Sequence, residues 1–151
     1  MQTYWTWLDQ TIAERLNGGA IGRPVFLRAT LQLTHDHGLL TPVLAGAVTT
    51  AAGWMNAGVT RLFVRGSVRD GGLSAMVEFS NGQSALISSH ALLEPQPSVG
   101  VLILGQNGSV KFDDLPEPSQ LGPGAPPSTP ALRNAVERAI ATGQPIRLER
   151  N

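Results

Sequence analysis

The sequence predicts an α+β domain: an open, mainly antiparallel sheet of about six strands with helices on one face, the other face left for dimerisation. Three observations carry this expectation. Apolar residues recur every three or four positions in separate stretches near both ends of the chain, the signature of amphipathic helices. They alternate with polar residues in a series of shorter stretches between, the period of a half-buried strand. Asp70-Gly71, Asn81-Gly82 and Asn107-Gly108 separate several of these stretches, and such pairs supply the positive φ that tight hairpins demand.

The elements follow in order. From Tyr4 to Asn17, the residues Trp5, Leu8, Ile12 and Leu16 form one helical stripe, which Gly18 and Gly19 stop. Trp5 and Trp7 cannot share that stripe, so one of them faces a partner or a cavity rim. Val25, Leu27, Ala29, Leu31 and Leu33 alternate with Arg28, Thr30, Gln32 and Thr34 as a strand. The Ala-rich stretch Thr41 to Gly58 has no period of two and reads as a buried helix opening near Thr41-Pro42. Strands are expected at Arg61 to Arg69, Leu73 to Ser80, Gln83 to Leu93, Val99 to Leu104 and Ser109 to Phe112. A last helical stripe runs through Leu132, Val136, Ala139 and Ile140 and ends at Gly143; Pro145 to Leu148 is a short extended tail.

The domain is expected to comprise residues 1–115 and 130–151, joined by a connector at 116–129. Six of the eleven prolines lie between Pro116 and Pro130, which makes that segment extended rather than packed. A chain of 151 residues with 42% hydrophobic and 15% charged residues can bury a core without staples, and it has no cysteine for disulfides, thiolate metal sites or thiol nucleophiles. Eleven basic residues balance eleven acidic ones, leaving no net field for nucleic acid or an anionic membrane. No apolar run is expected to reach the roughly 20 residues of a membrane helix, and a cytoplasmic protein is the default.

Counting the Asp70-Gly71 and Asn81-Gly82 hairpins as two-residue turns sets a register. Leu62, Val64, Val68, Leu73, Ala75, Val77 and Phe79 then share the helix-facing side. The other side collects Arg61, Phe63, Arg65, Arg69, Ser74, Met76, Glu78, Ala85, Ile87, Ala91 and Leu93. An apolar centre with arginine and rimming charge has the composition of an interface. The expected dimer contacts are therefore Arg61, Phe63, Arg65, Met76, Glu78, Ala85, Ile87 and Leu93; a solvated amphipathic sheet is the alternative. Arg61, Arg65 and Arg69 could clamp an anion, but pairing with Glu78 is the simpler use.

Candidate chemistry is sparse. His35-Asp36-His37 ends the first strand, and His35 and His37 would share a face there, able to hold zinc or iron with a third ligand from His90 or Glu94. A solvated turn fits the same residues. The register places His90 on the helix-facing side with Leu86 and Leu92, where it would serve as a general base over a cavity or as a core histidine with one hydrogen bond. Ser88 and Ser89 lack the Gly-x-Ser-x-Gly setting of a nucleophile elbow.

The order of elements and several local phrases resemble the C-terminal domain of the Gfo/Idh/MocA oxidoreductases, the glucose-fructose oxidoreductase and inositol dehydrogenase family. The phrases are Gly19-Ala20-Ile21-Gly22-Arg23-Pro24-Val25, the apolar helix ending at Gly58, Phe79-Ser80-Asn81-Gly82, Leu104-Gly105-Gln106-Asn107-Gly108-Ser109-Val110, and Ala141-Thr142-Gly143-Gln144-Pro145-Ile146. They cover the chain from about Leu8 to Leu148. The resemblance implies the fold and dimerisation through the open sheet face. It does not imply hydride transfer, because the sequence has no G-x-G-x-x-G between a strand and a helix and no Glu-Lys-Pro. The family's His and Asp on the helix before Gly58 fall at Val48 and Ala51, and no residue from Thr41 to Thr60 is ionisable.

Three functions follow. The first is a stand-alone module that binds a small polar metabolite between sheet and helices or oligomerises, without redox chemistry, expecting no cofactor unless a separately encoded chain brings NAD(P). The second is a cofactor-independent isomerase, lyase or hydrolase using His90 with His35, Asp36 or Glu94. The third is a fragment or subunit of an NAD(P)-dependent sugar or polyol oxidoreductase, against which stands Met1 just before the first helix.

Overall fold

The computed structural model describes residues 3–91, 96–121 and 124–148. Thr3 opens the first helix, α1 (Tyr4–Asn17), by accepting a hydrogen bond from the Thr6 amide at 3.1 Å. Tyr4, Trp5, Leu8 and Ile12 form its buried stripe. Gly19, at φ 72°, turns the chain into β1 (Pro24–Thr34). A 3-10 turn at His37–Leu39 leads into α2 (Leu40–Met55), in which ten residues are buried, and Asn56 closes it in the left-handed conformation at φ 52°.

The remaining strands are β2 (Val59–Ser67), β3 (Gly72–Phe79), β4 (Ser84–Ala91), β5 (Ser98–Gly105) and β6 (Ser109–Asp114). A single helical turn, α3 (Pro118–Leu121), precedes α4 (Pro130–Thr142), which has the Thr129 hydroxyl at its N-cap, Pro130 in its first turn and Gly143 at φ 66° just past its end. β7 (Ile146–Arg147) completes a seven-stranded sheet in the order β6-β5-β1-β4-β3-β2-β7. The sheet is open and antiparallel except where β1 lies parallel to β4. The fold is thus the expected α+β architecture, with one strand more than the periodicity counted.

The core lies between the sheet and the helices. One row of paired positions on the covered face reads Val64, Ala75, Ile87, Ala29, Val101 and Phe112, all buried. Ile87 fills the space that its two alanine neighbours leave. Leu27, Leu40, Leu44, Val48 and Ile103 are also fully enclosed, and burying each such side chain contributes about 1.5–3 kcal/mol.

Three expectations need correction. The β3–β4 connection is a three-residue loop, Ser80-Asn81-Gly82, closed by hydrogen bonds from the Phe79 amide to the Gln83 carbonyl and from the Gly82 amide to the Phe79 carbonyl, so Val77 opposes Ala85 and not Leu86. One residue of slip exchanges the faces of a strand. Ala85, Ile87 and Ala91 therefore belong to the core, while Leu86, Ser88 and His90 stand on the open face. Leu92, Leu93 and Glu94 lie outside the described residues.

The connector also packs. Pro116, Leu121 and Pro126 are buried, and Pro126 crosses α2 at Gly46, where a Cβ would lie only 2.1 Å from the Pro126 carbonyl oxygen. Finally, His37–Met55 reaches 19 residues at a mean hydropathy of 1.3, apolar enough by length and composition to cross a membrane. It is the central core helix, and its hydropathy is what that position requires.

Candidate functional site: the open face of the sheet

Alternate residues of the strands face away from the helices and form three rows. Phe63, Met76, Leu86, Arg28, Leu102 and Lys111 oppose one another across β2, β3, β4, β1, β5 and β6. On one side of them runs Arg61, Glu78, Ser84, Phe26, Leu104 and Ser109; on the other runs Arg65, Ser74, Ser88, Thr30, Gly100 and Asp113. The first two rows hold the apolar side chains and the third is polar. Met76 is 58% exposed and Leu104 39%.

Two shallow depressions indent this face. One, of about 590 Å³, has Phe26, Phe63, Met76 and Leu86 as its apolar lining and Arg61 and Glu78 at its rim. The other, of about 760 Å³, includes Arg28, Thr30, Gly100 and Lys111. A cavity between sheet and helices, beside Trp5, Trp54 and Thr50, measures about 20 Å³. That is room for one water and not for a metabolite.

The expected interface residues divide accordingly. Arg61, Phe63, Arg65, Met76 and Glu78 lie on the open face; Ala85 and Ile87 lie in the core. Arg61 and Glu78 pair across strands at 3.5 Å, as the spacing suggested, and Arg65 sits 5.7 Å from the centre of the Phe63 ring. Arg69 is in the β2–β3 turn, away from the other two arginines. The β1, β4 and β5 contributions, Phe26, Leu86, Leu102 and Leu104, escaped the sequence reading. Their signal was present in the strand alternation but required the loop length to be counted correctly.

The histidines do not converge. His90 stands half-buried on the open face, opposite Gly72 and Gln32, and its ring lies across Gly72, where an added Cβ would meet Nδ1 at 2.9 Å. His35 and Asp36 lie beyond the end of β1, and the Asp36 carboxylate accepts from the Gly38 amide at 2.8 Å. His37 places Nδ1 2.9 Å from the Val68 carbonyl oxygen. Among the described residues no three His, Asp or Glu side chains group to hold a metal, so the His35–His37 pair finds no third ligand there. Ser74 and Ser88 share a hydrogen bond at 2.9 Å on the open face, while Ser89 donates to the Leu40 carbonyl from within the core.

Trp7, 41% exposed, is the tryptophan that leaves the helical stripe; its ring meets Tyr4 and the edge of Phe112. Beside it the Tyr4 hydroxyl donates to Asp114 at 2.7 Å. Burial, with the Asp114 carboxylate second, pushes that phenol well above its ordinary 10.0.

The architecture has solved counterparts. Myo-inositol dehydrogenase from Lactobacillus casei, in complex with NAD(H) and myo-inositol, superposes with a TM-score of 0.74 at 12% identity, over 95% of this chain and 59% of that one. The WlbA dehydrogenase from Bordetella pertussis, in complex with NADH and UDP-GlcNAcA, gives 0.68 at 14% identity, over 99% and 61%. Myo-inositol 2-dehydrogenase from Lactobacillus plantarum gives 0.69 at 10% identity, over 93% and 61%. This chain has the fold of the Gfo/Idh/MocA C-terminal domain. It spans about three-fifths of the length of these solved chains. No protein-family model matches the sequence, and no curated protein matches it.

Val48 and Ala51, where the resemblance sets the family's His and Asp, are 0% and 1% exposed.

Proposed function

We propose that this chain is a cytoplasmic association module, built on the C-terminal half of a dehydrogenase architecture, that pairs with a second copy through its open sheet face and performs no redox chemistry of its own. The carrying observation is the contiguous apolar surface of Phe26, Phe63, Met76, Leu86, Leu102 and Leu104 on the side of the sheet that no helix covers. A sheet face left to water alternates apolar-in with polar-out; here six large apolar groups point outward, which is the pattern of a face that packs on another sheet about 10 Å away. The absence of any ionisable group from Thr41 to Thr60 supports the non-catalytic part of the reading.

Sedimentation equilibrium at micromolar concentration tests it. The wild type should be a dimer, and Met76→Asp should be a monomer with an unchanged circular dichroism spectrum, because it places a carboxylate at the centre of the apolar rows without touching the core. A wild type that is monomeric whatever the buffer anion refutes the proposal. A second reading, that the module works beside a separately encoded dinucleotide-binding chain, is supported by the NAD(H)-bound state of structural neighbours longer than this chain. On either reading NAD and NADH alone should leave the melting temperature of this chain unchanged.

A further inference from the structure

The charge on the open face does not match itself. Five cations, Arg28, Arg61, Arg65, Lys111 and Arg147, share it with two carboxylates, Glu78 and Asp113, among the described residues. Both carboxylates are engaged, Glu78 with Arg61 at 3.5 Å and Asp113 with Lys111 at 3.9 Å. The surplus is local, because the chain as a whole is neutral. Arg28 is the extreme case: it stands on β1 between Leu86 and Leu102 and has no ion pair among the described residues. Covering this face with an identical one would bury two such guanidiniums among leucines and oppose like charges, which disfavours association strongly.

The same arginine opens onto a depression of the open face. The depression of about 760 Å³ brings Arg28, Lys111, Thr30 and Ser98 around Gly100, whose missing side chain leaves the floor open. Two carboxylates enter it too: Asp113, held toward Lys111 at 3.9 Å with an oxygen 3.3 Å from where a Gly100 Cβ would stand, and Asp114, which accepts from the Tyr4 hydroxyl at 2.7 Å, so that Arg28 is the charged group of the depression without an ion pair among the described residues. A guanidinium presents a planar fork of donors that a phosphate or carboxylate accepts in bidentate fashion.

We propose that association through the open face is anion-linked: a multivalent oxyanion, phosphate or carboxylate in chemistry, is taken up at Arg28 and neutralises the facing sheets. This rests on the two-copy reading above. By linkage, an anion that binds the pair better than the single chain must tighten the pair by the same factor.

Sedimentation equilibrium in sodium chloride, with and without millimolar inorganic phosphate or citrate at matched ionic strength, tests the proposal on wild type and Arg28→Gln. Wild-type association should tighten about tenfold with either or one of the two anions, the responding anion identifying the source chemistry. Arg28→Gln, which keeps a polar hydrogen-bonding end without the charge, should associate in chloride alone and respond to neither. A wild-type dimer indifferent to both anions, or an Arg28→Gln dimer that still responds, overturns the anion linkage and leaves the two-copy reading standing. A wild type that is monomeric in all three solutions overturns both.

Discussion

Replacing Leu86 and Ile87 one at a time by alanine distinguishes the two possible registers of β4. Ile87 is 0% exposed and packs between Ala29 and Ala75 beneath α2, whereas Leu86 stands half-buried on the open face. Ile87→Ala removes three carbons from a site whose small neighbours cannot close the gap, and such truncations cost about 2–5 kcal/mol. In a domain near this size each kcal/mol lowers the melting temperature by about 2–4 °C, so the expected fall is about 4–20 °C. Leu86→Ala leaves no enclosed cavity and should cost less than about 1 kcal/mol, within a few degrees of wild type. Thermal denaturation followed by circular dichroism, at one concentration low enough that association does not contribute, reads both variants. If Leu86→Ala proves the more damaging, the three-residue loop at Ser80-Asn81-Gly82 is wrong, and with it the composition of the open face.

Two further outcomes follow from the core and the sheet edge. Gly46→Ala sets a Cβ 2.1 Å from the Pro126 carbonyl oxygen; the crossing segment must lift, at about 1–3 kcal/mol, and limited proteolysis should cut between residues 116 and 129 faster than in wild type. The raised Tyr4 phenol stabilises the fold in its protonated form, so that contribution is complete below the unfolded value of 10.0 and is lost as pH rises beyond it. Urea denaturation from pH 9 to pH 11 should therefore show a downward slope that Tyr4→Phe reduces; equal slopes would refute the role given to the phenol.

Local signals made the helices legible. Stripes of three or four residues, stopped by Gly18-Gly19 and by Gly143, locate α1 and α4 from sequence alone, and the structure adds Thr3 and Thr129 as their N-caps. The β2–β3 faces were equally readable, although the hairpin loop is longer than a two-residue turn. Its pairing differs by an even number of positions from the two-residue expectation, which leaves every side chain on its own face. The β3–β4 loop differs by an odd number, and that single residue moved His90, Ala85 and Ile87 to the wrong sides. Asn81-Gly82 suits a two-residue turn as well as the three-residue loop with its left-handed glycine, Gly82 at φ 84°, so composition does not decide between them. The packing of the proline-rich segment was hidden for a different reason: it depends on Gly46, a residue eighty positions away from Pro126 in sequence, being small enough to let a backbone pass. The Arg61–Glu78 pair, by contrast, follows from adjacent strands and was visible in the spacing.

The lone parallel pair sets the order in which this chain can assemble. β1 finds its neighbours only in β4 and β5, which begin at Ser84 and Ser98, so both of its edges stay open while everything from α2 to β3 is being made. The β2–β3 hairpin can close early by itself, but joining the two wings of the sheet must await a long-range event that gathers distant stretches at once, which slows folding. During that interval the newborn strand Pro24–Thr34 offers two unpaired backbone edges to any passing β-segment. Production of this protein should thus benefit from slow synthesis at low temperature, and its misassembled forms should retain a protease-resistant hairpin around Val59–Phe79.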